Sequence, residues 1–205
     1  MIIKAKHNPL AVNFFNTYSK KKIRHNFQQV VIKGDIDVSN HAVLLVSNHL
    51  GWWDGFWALY LNIKLFKKKF HFMMDEKELA KRWLFSYAGG FSVAPHNKSI
   101  LESLRYASEL LQDTNNLVLI YPQGKLYSSC CNDIRFMKGI NRIKTAETTK
   151  TVLLVQFVDY FQHEKPTVYL YTKEADKGQS TKNNYEEQYQ AFYNACMEEQ
   201  SKIII

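Results

Sequence analysis

His49 and Asp54 are the two residues whose types could do chemistry together. A carboxylate held against one imidazole nitrogen fixes the ring's tautomer. The other nitrogen is then free to take a proton, which is the base–orienter arrangement of general-base catalysis. The two residues are five positions apart. On one continuous helix that offset turns them about 140° from each other, so they share no helical face. A strand–turn–helix is needed to bring them together, and 47-SNHLGWWDGFW-57 has that form. The apolar run 42-AVLLV-46 leads into Ser47, Gly51 permits a turn, and Asp54 stands at a helix start, where the dipole favours its ionised form. In open α/β sheets the carboxyl end of a strand is the usual place for a site. A loop histidine beside a simple capping aspartate has the same spacing, so the pair by itself leaves both readings open.

The elements that must position the pair follow from periodicity. Short runs rich in β-branched or aromatic residues predict strands at 28–33, 42–47, 69–74, 117–121, 152–158 and 167–172. Helices are predicted at 9–24, 54–65, 76–87, 98–112, 138–147 and 183–200. Strands alternating with helices predict a single α/β domain whose central sheet is covered on both faces. With 8 Gly and 4 Pro in 205 residues there is no linker and no repeat.

Composition narrows the function classes. At 46% hydrophobic and 22% charged residues, the chain has the composition of a folded domain. The net charge of +8 is unevenly spread: residues 1–100 carry 15 Lys/Arg against 6 Asp/Glu, and residues 101–205 carry 12 against 13. A basic half on a neutral body points to an acidic partner: nucleic acid, an anionic membrane surface or an acidic carrier protein. No helix-turn-helix, zinc-finger or RNP pattern supports nucleic acid. Cys130, Cys131 and Cys196 form no CxxC, which argues against a disulfide framework and for a reducing compartment. The histidines show no metal-ligand spacing. The longest apolar runs are of strand length, well short of a membrane span, and the N-terminus lacks a signal-peptide pattern. The expected location is cytoplasmic, peripheral on the inner face of the cell membrane.

Four segments in order resemble the PlsC-like glycerolipid acyltransferase family. That family's first motif is Asn-His, four residues, then Asp, matched by Asn48, His49 and Asp54. Its second is a Gly-x-x-Phe-like strand, often ending in Arg; 89-GGFSVAP-95 stands there, with Pro95 in the Arg position. Its third is Phe-Pro-Glu-Gly-Thr-Arg-Ser, read here as 121-YPQGKLY-127. Pro122 and Gly124 match, while Gln123, Lys125 and Leu126 depart. A Lys-Gly before a helix and an apolar strand follows as 136-FMKG-139 and 151-TVLLVQF-157. The resemblance spans about residues 40–160. It implies a glycerol-3-phosphate acyltransferase-like fold with a mixed, mostly parallel sheet. The N-terminal helix and residues 175–205 lie outside the resemblance, and the expected division is a basic amphipathic helix at 1–25 and an acyltransferase domain over 26–205.

By this resemblance, His49 is the general base and Asp54 orients it. An acceptor hydroxyl attacks the thioester of acyl-CoA or acyl-ACP directly, with no metal and no further cofactor. Substrate-binding positions are expected at Asn48, Trp52, Phe91, Pro122, Gln123, Gly124 and Lys125, with backbone amides near Gly124 as oxyanion donors. The residues that grip an acceptor phosphate in the family are Gln123, Leu126 and Pro95 here. Lysine is not equivalent to a bidentate guanidinium, so Lys125, His96 and Lys98 would be looser substitutes. Either the phosphate is held differently or the lipid acceptor is not a lysophosphatidate.

Two basic stretches are expected to meet an anionic membrane surface or the acyl carrier protein. The first is Lys20, Lys21 and Lys22 on the N-terminal helix, whose Leu10, Phe14 and Tyr18 share a face that either packs on the body or rests on lipid. The second is Lys67, Lys68 and Lys69 within 64-KLFKKKFHFMM-74, read as a basic, aromatic rim. Trp53, Trp57 and Tyr60 lie at helical spacing and read as packing, whereas Trp52, between the two catalytic candidates, shapes a pocket. The alternatives from other classes are a non-catalytic lipid- or carrier-binding relative and a basic nucleic-acid-binding protein.

Overall fold

The computed structural model describes residues 2–94, 99–176 and 184–205. The described elements in chain order are α1 (Pro9–Asn26), β1 (Gln29–Lys33), β2 (Ala42–Ser47), α2 (Asp54–Leu61), β3 (Lys69–Asp75), α3 (Glu76–Lys81), α4 (Leu84–Tyr87), β4 (Gly90–Val93), α5 (Ile100–Leu110), β5 (Asn116–Ile120), β6 (Thr149–Asp159), β7 (Thr167–Glu174) and α6 (Tyr185–Ser201). The strands form one sheet in the order β1-β7-β6-β2-β5-β3-β4. Every pairing is parallel except β6 with β7. The expected mixed, mostly parallel α/β sheet is what forms.

Strand alternation divides the core into two layers. Leu44 and Val46 of β2, Val118 of β5 and Val155 of β6 face α5 and α6. Val43, Leu45, Leu119 and Leu154 face α1 and α2. All six residues of β2 are buried, as a central strand with helices over both faces requires. The parallel strands β2, β5, β3 and β6 end on one edge of the sheet. His49 follows β2 on that carboxyl edge.

Several boundaries differ from periodicity. The 54–65 helix becomes α2 followed by a π-turn at Asn62–Phe66. Lys67 closes that turn with a left-handed φ of 56°. Asn62 clamps it, accepting from Lys68 N at 3.0 Å and donating to Lys68 O at 2.9 Å. The 76–87 helix breaks into α3 and α4 at Arg82, whose ψ of 48° is not helical. The 138–147 helix shrinks to a 3-10 turn at Lys138–Arg142. A 3-10 spacing eclipses positions three apart, so Ile140 and the residue after the turn, Ile143, bury together. The chain then extends, and β6 begins at Thr149, earlier than periodicity predicts.

The packed face of α1 also differs. Leu10 and Phe14 are 80% and 60% exposed. Phe15, Ser19 and Ile23 make the contact instead: Phe15 against Phe85, Ser19 Oγ donating to Phe56 O, and Ile23 in the core. These three also recur every four residues, so spacing alone does not separate the two faces. Ahead of α1 the chain is not helical. It runs along the sheet edge, with Ile3 O accepting from Ser92 N and Lys6 N donating to Ser86 O.

Leu45 has no solvent exposure and lies at the centre of the α1/α2 layer. Leu45→Ala should destabilise the protein by about 2–5 kcal/mol, read as a lower midpoint in urea unfolding at unchanged slope. A loss below ~1 kcal/mol would show that this layer is not a close-packed core.

Candidate active site

The turn between β2 and α2 is built around one carboxylate. Asp54 is the first residue of α2 and has no solvent exposure. Its Oδ2 accepts from Leu50 N at 2.6 Å, Gly51 N at 2.9 Å and His49 Nδ1 at 2.7 Å. The backbone bonds fold the loop back on the helix start, and the third aims the imidazole. A carboxylate can only accept, so Nδ1 carries the proton and Nε2 is the free nitrogen. The His49 side chain is 29% exposed and lines a cavity.

Other residues fix this loop from beneath. Gln123 is buried, and its Oε1 accepts from His49 N at 2.6 Å. Tyr127 N donates to His49 O at 2.9 Å, tying the β5 loop to the same residue. The Tyr121 ring stacks on the imidazole, with centroids 4.3 Å apart and planes 17° apart. Asn48 is fully buried and exchanges two bonds with Gln156 of β6: Gln156 N to Asn48 Oδ1 at 2.9 Å, and Asn48 Nδ2 to Gln156 O at 3.1 Å. Tyr189 of α6 donates its hydroxyl to Leu154 O at 2.7 Å and lies 3.2 Å from Asn48 Oδ1.

The cavity has a volume of about 790 Å³ and a mainly apolar wall. It begins at His49, Trp52 and Gly124 on the carboxyl edge. It runs under α1 and α2 past Phe56 and Phe72 to His7 and Lys69. Lys69 opens β3 and sits level with Asn116 at the start of β5. A strand of this length covers about 20 Å, so the cavity reaches from one sheet edge to the other. At the far end His7 bonds Phe70 O through Nε2 at 3.0 Å, and burial lowers its pKa. Behind it, burial depresses His71 to about 3, leaving a neutral ring.

The candidate site residues divide accordingly. His49, Trp52 and Gly124 come together on the cavity wall, with Asp54 buried behind His49 and Trp52 60% exposed. Asn48 and the Gln123 Oε1 instead bond the chain around the loop, and both side chains are buried. Phe91 is a correction: it is fully buried against Tyr106 on the other face of the sheet and does not line the cavity. Pro122 is buried and accepts from Met137 N. Lys125 is exposed, with its ammonium over the Tyr127 ring at 5.6 Å, off the cavity wall. The Gly124 N–H is used within the turn, donating to Tyr121 O at 3.1 Å. Lys67, Lys68 and Lys69 lie at the amino edge, opposite His49. Lys68 is also tied down, donating to Ser39 O and Thr114 O at 3.0 and 2.9 Å. Lys20 and Lys21 are exposed, and Lys22 lies over the Tyr18 ring. These three sit on the half of α1 that leads to Phe27, which packs on Trp53 beside the site. Pro95, His96 and Lys98 lie outside the described residues. Among the described residues, no group of three or more His, Cys, Asp or Glu is placed to hold a metal ion.

Sequence reasoning missed Tyr121, Gln156 and Tyr189. The first left a signal: tyrosine stands where the third motif has phenylalanine. The other two come from β6 and α6, and only the folded sheet brings them under His49.

A model of the Acyltransferase family matches residues 18–170, and the chain belongs to that family; it is an acyltransferase. Among solved structures it is similar to the crystal structure of the 1-acyl-sn-glycerophosphate acyltransferase PlsC from Thermotoga maritima. The TM-score is 0.63 at 14% identity, over 95% of this chain and 81% of that one, which shows a shared fold. No curated protein matches the chain. No described helix is long and apolar enough to cross a membrane.

Gln123 needs only an acceptor oxygen to hold the His49 amide. Gln123→Leu leaves a buried N–H unsatisfied and should cost about 1–3 kcal/mol. Thermal unfolding of the variant checks this. No loss would remove Gln123 from its place under the loop.

Proposed function

We propose that the protein transfers a fatty acyl group from acyl-CoA or acyl-ACP to a hydroxyl of a lipid acceptor, with His49 as general base and Asp54 as its orienter. The observation that carries this is the Nδ1–Asp54 bond at the mouth of a long apolar cavity. The fixed tautomer leaves Nε2 to take the acceptor's proton as the oxygen attacks the thioester carbon. The cavity volume falls in the range of roughly 300–1,000 Å³ in which proteins hold small-molecule ligands, and its apolar wall suits an acyl chain. The oxyanion needs fixed donors. Backbone amides of the loop around Gly124 are the proposed donors, with the Gly124 N–H itself used within the turn and Leu126 on the cavity wall.

The acceptor is proposed to be lysophospholipid-like, with its headgroup held differently from the family pattern. Leu126 offers no charge, and Gln123 is occupied by the loop. The guanidinium at the cavity wall is Arg82, paired with Glu78 at the carboxyl edge. It is the group best placed to meet an acceptor phosphate.

Docking on an anionic membrane surface is proposed through the carboxyl-edge end of α1. Exposed Lys20, Lys21 and Arg24 lie near exposed Trp52, with Phe14 further along the helix. Basic heads beside apolar rings suit lipid headgroups. A carrier bound instead at Lys67 or Lys69 would have to send its thioester through about 20 Å of cavity.

His49→Ala should lower acyl transfer about 10²–10⁴-fold in a variant that circular dichroism still shows folded, with its unfolding midpoint lowered by the lost bond to Asp54. The readout is mass-spectrometric detection of acylated product from acyl-CoA and a panel of lysolipids. Undiminished turnover in the folded variant would overturn the assignment.

A further inference from the structure

A second, smaller cavity adjoins the site. It holds about 90 Å³ and is walled by Ile100, Leu104, Ile120, Ile140 and Ile143, with no charged side chain on its lining. Those residues pack in the α5 layer, so this cavity lies on the opposite face of the sheet from α1 and α2. Walls of this kind give a water no partners, and what suits the space is hydrocarbon.

The two cavities meet. Met73 of β3, Val93 at the end of β4, Tyr121 after β5 and Gly124 line both of them. The junction is therefore at the carboxyl edge, where the Tyr121 ring stacks on His49 at 4.3 Å. Met137 stands beside it. Its N–H donates to Pro122 O at 2.8 Å, which fixes the backbone, and its side chain lines the small cavity alone. That side chain lies so close to Gly124 that a Cβ there would run into the sulfur. Gly124 also has a φ of 66°, so glycine is needed on two counts. Yet Met137 is 40% exposed, and an unbranched thioether changes rotamer readily. Leu101, next to Ile100, and Leu126, just past Gly124, are 51% and 58% exposed, which gives this edge an apolar rim.

We propose that the small cavity is a subsite for the hydrocarbon chain already carried by the acceptor, with Met137 as its gate. The proposal rests on the acyl-transfer reading and deepens it: the acceptor is a lipid bearing one chain, not a chainless polyol phosphate. Direct transfer brings the thioester carbon and the acceptor oxygen together at His49, and each trails its own chain. The large cavity leads the donor's chain away under α1 and α2. A second chain leaving the same point needs another exit, and the small cavity provides one on the other face. It takes the few methylenes nearest the headgroup, and the remainder runs out over Leu101 and Met137 towards the lipid surface.

Four methionines read the two cavities separately. Met74 lines the large cavity, Met137 the small one, Met73 both, and Met197 of α6 neither. The test is the methyl spectrum of wild-type protein labelled at methionine, with a non-transferable ether analogue of acyl-CoA added first. That analogue should shift Met74 and leave Met137 in place. Lauroyl lysophosphatidate, kept below its micelle concentration, should then shift Met137, while glycerol phosphate at the same concentration should not. A Met137 methyl that ignores the lysolipid, or that responds equally to glycerol phosphate, overturns the proposal. An analogue that fails to shift Met74 counts instead against the acyl-transfer reading, because Met137 is scored on the lysolipid alone. Gly139→Leu gives an independent check. A Cβ at Gly139 meets only the Leu104 side chain, at 3.4 Å, so the leucine enters the small cavity without backbone strain. In that variant the lysolipid shift at Met137 should disappear and the donor shift at Met74 should remain. A lysolipid shift that persists in the filled cavity also overturns the proposal.

Discussion

The Asp54 carboxylate is the constraint on which the rest of the site depends. It is a charge with no solvent exposure, and removing a charge from water costs several kcal/mol unless bonds replace the hydration. Three donors converge on one of its oxygens, two from the backbone of the turn and one from His49. Hydrogen bonds to a charged group contribute about 1.5–3 kcal/mol each, so the turn folds around the carboxylate as much as the carboxylate serves the histidine. Its place at the start of α2 adds the favourable end of the helix dipole.

The sheet turns that local arrangement into a site. β2 is central, with β5 and β6 as parallel neighbours, so the loops after all three strands meet at one edge. The β5 loop supplies Gln123, Tyr121 and Tyr127 around His49, and β6 supplies Gln156 beneath it. α1 and α2 lie over β3 with the apolar cavity between them, leading away from His49. The positive charge divides in the same way. Lys20, Lys21 and Arg24 belong to the edge that carries His49, and Lys67 and Lys69 to the opposite edge.

The pair at the centre was legible in the sequence through the strand before it, Asn48 and the ordered motifs of the family resemblance, because its spacing alone fits a loop histidine beside a capping aspartate equally well. The sheet was legible because its strands are short, apolar and bounded. Other features needed the fold. Gln123 and Asn48 are polar and lie in motifs, yet each bonds a backbone group distant in sequence. Phe91 belongs to a strand whose alternation decides which layer it enters, and it enters the one without the cavity. On α1 two apolar faces have the same four-residue spacing, and only contact with Phe56 and Phe85 selects between them. Lys68 reads as a surface cation, but the π-turn that Asn62 clamps directs its ammonium onto two carbonyls.

The most direct measurement of the account is thiol release from acyl-CoA with and without a lysolipid acceptor, with intact-protein mass spectrometry run alongside. Direct attack by a His49-activated hydroxyl predicts release that requires the acceptor, matches new ester one for one, and leaves the protein mass unchanged. Acceptor-independent release, or a protein carrying one acyl group, would contradict it.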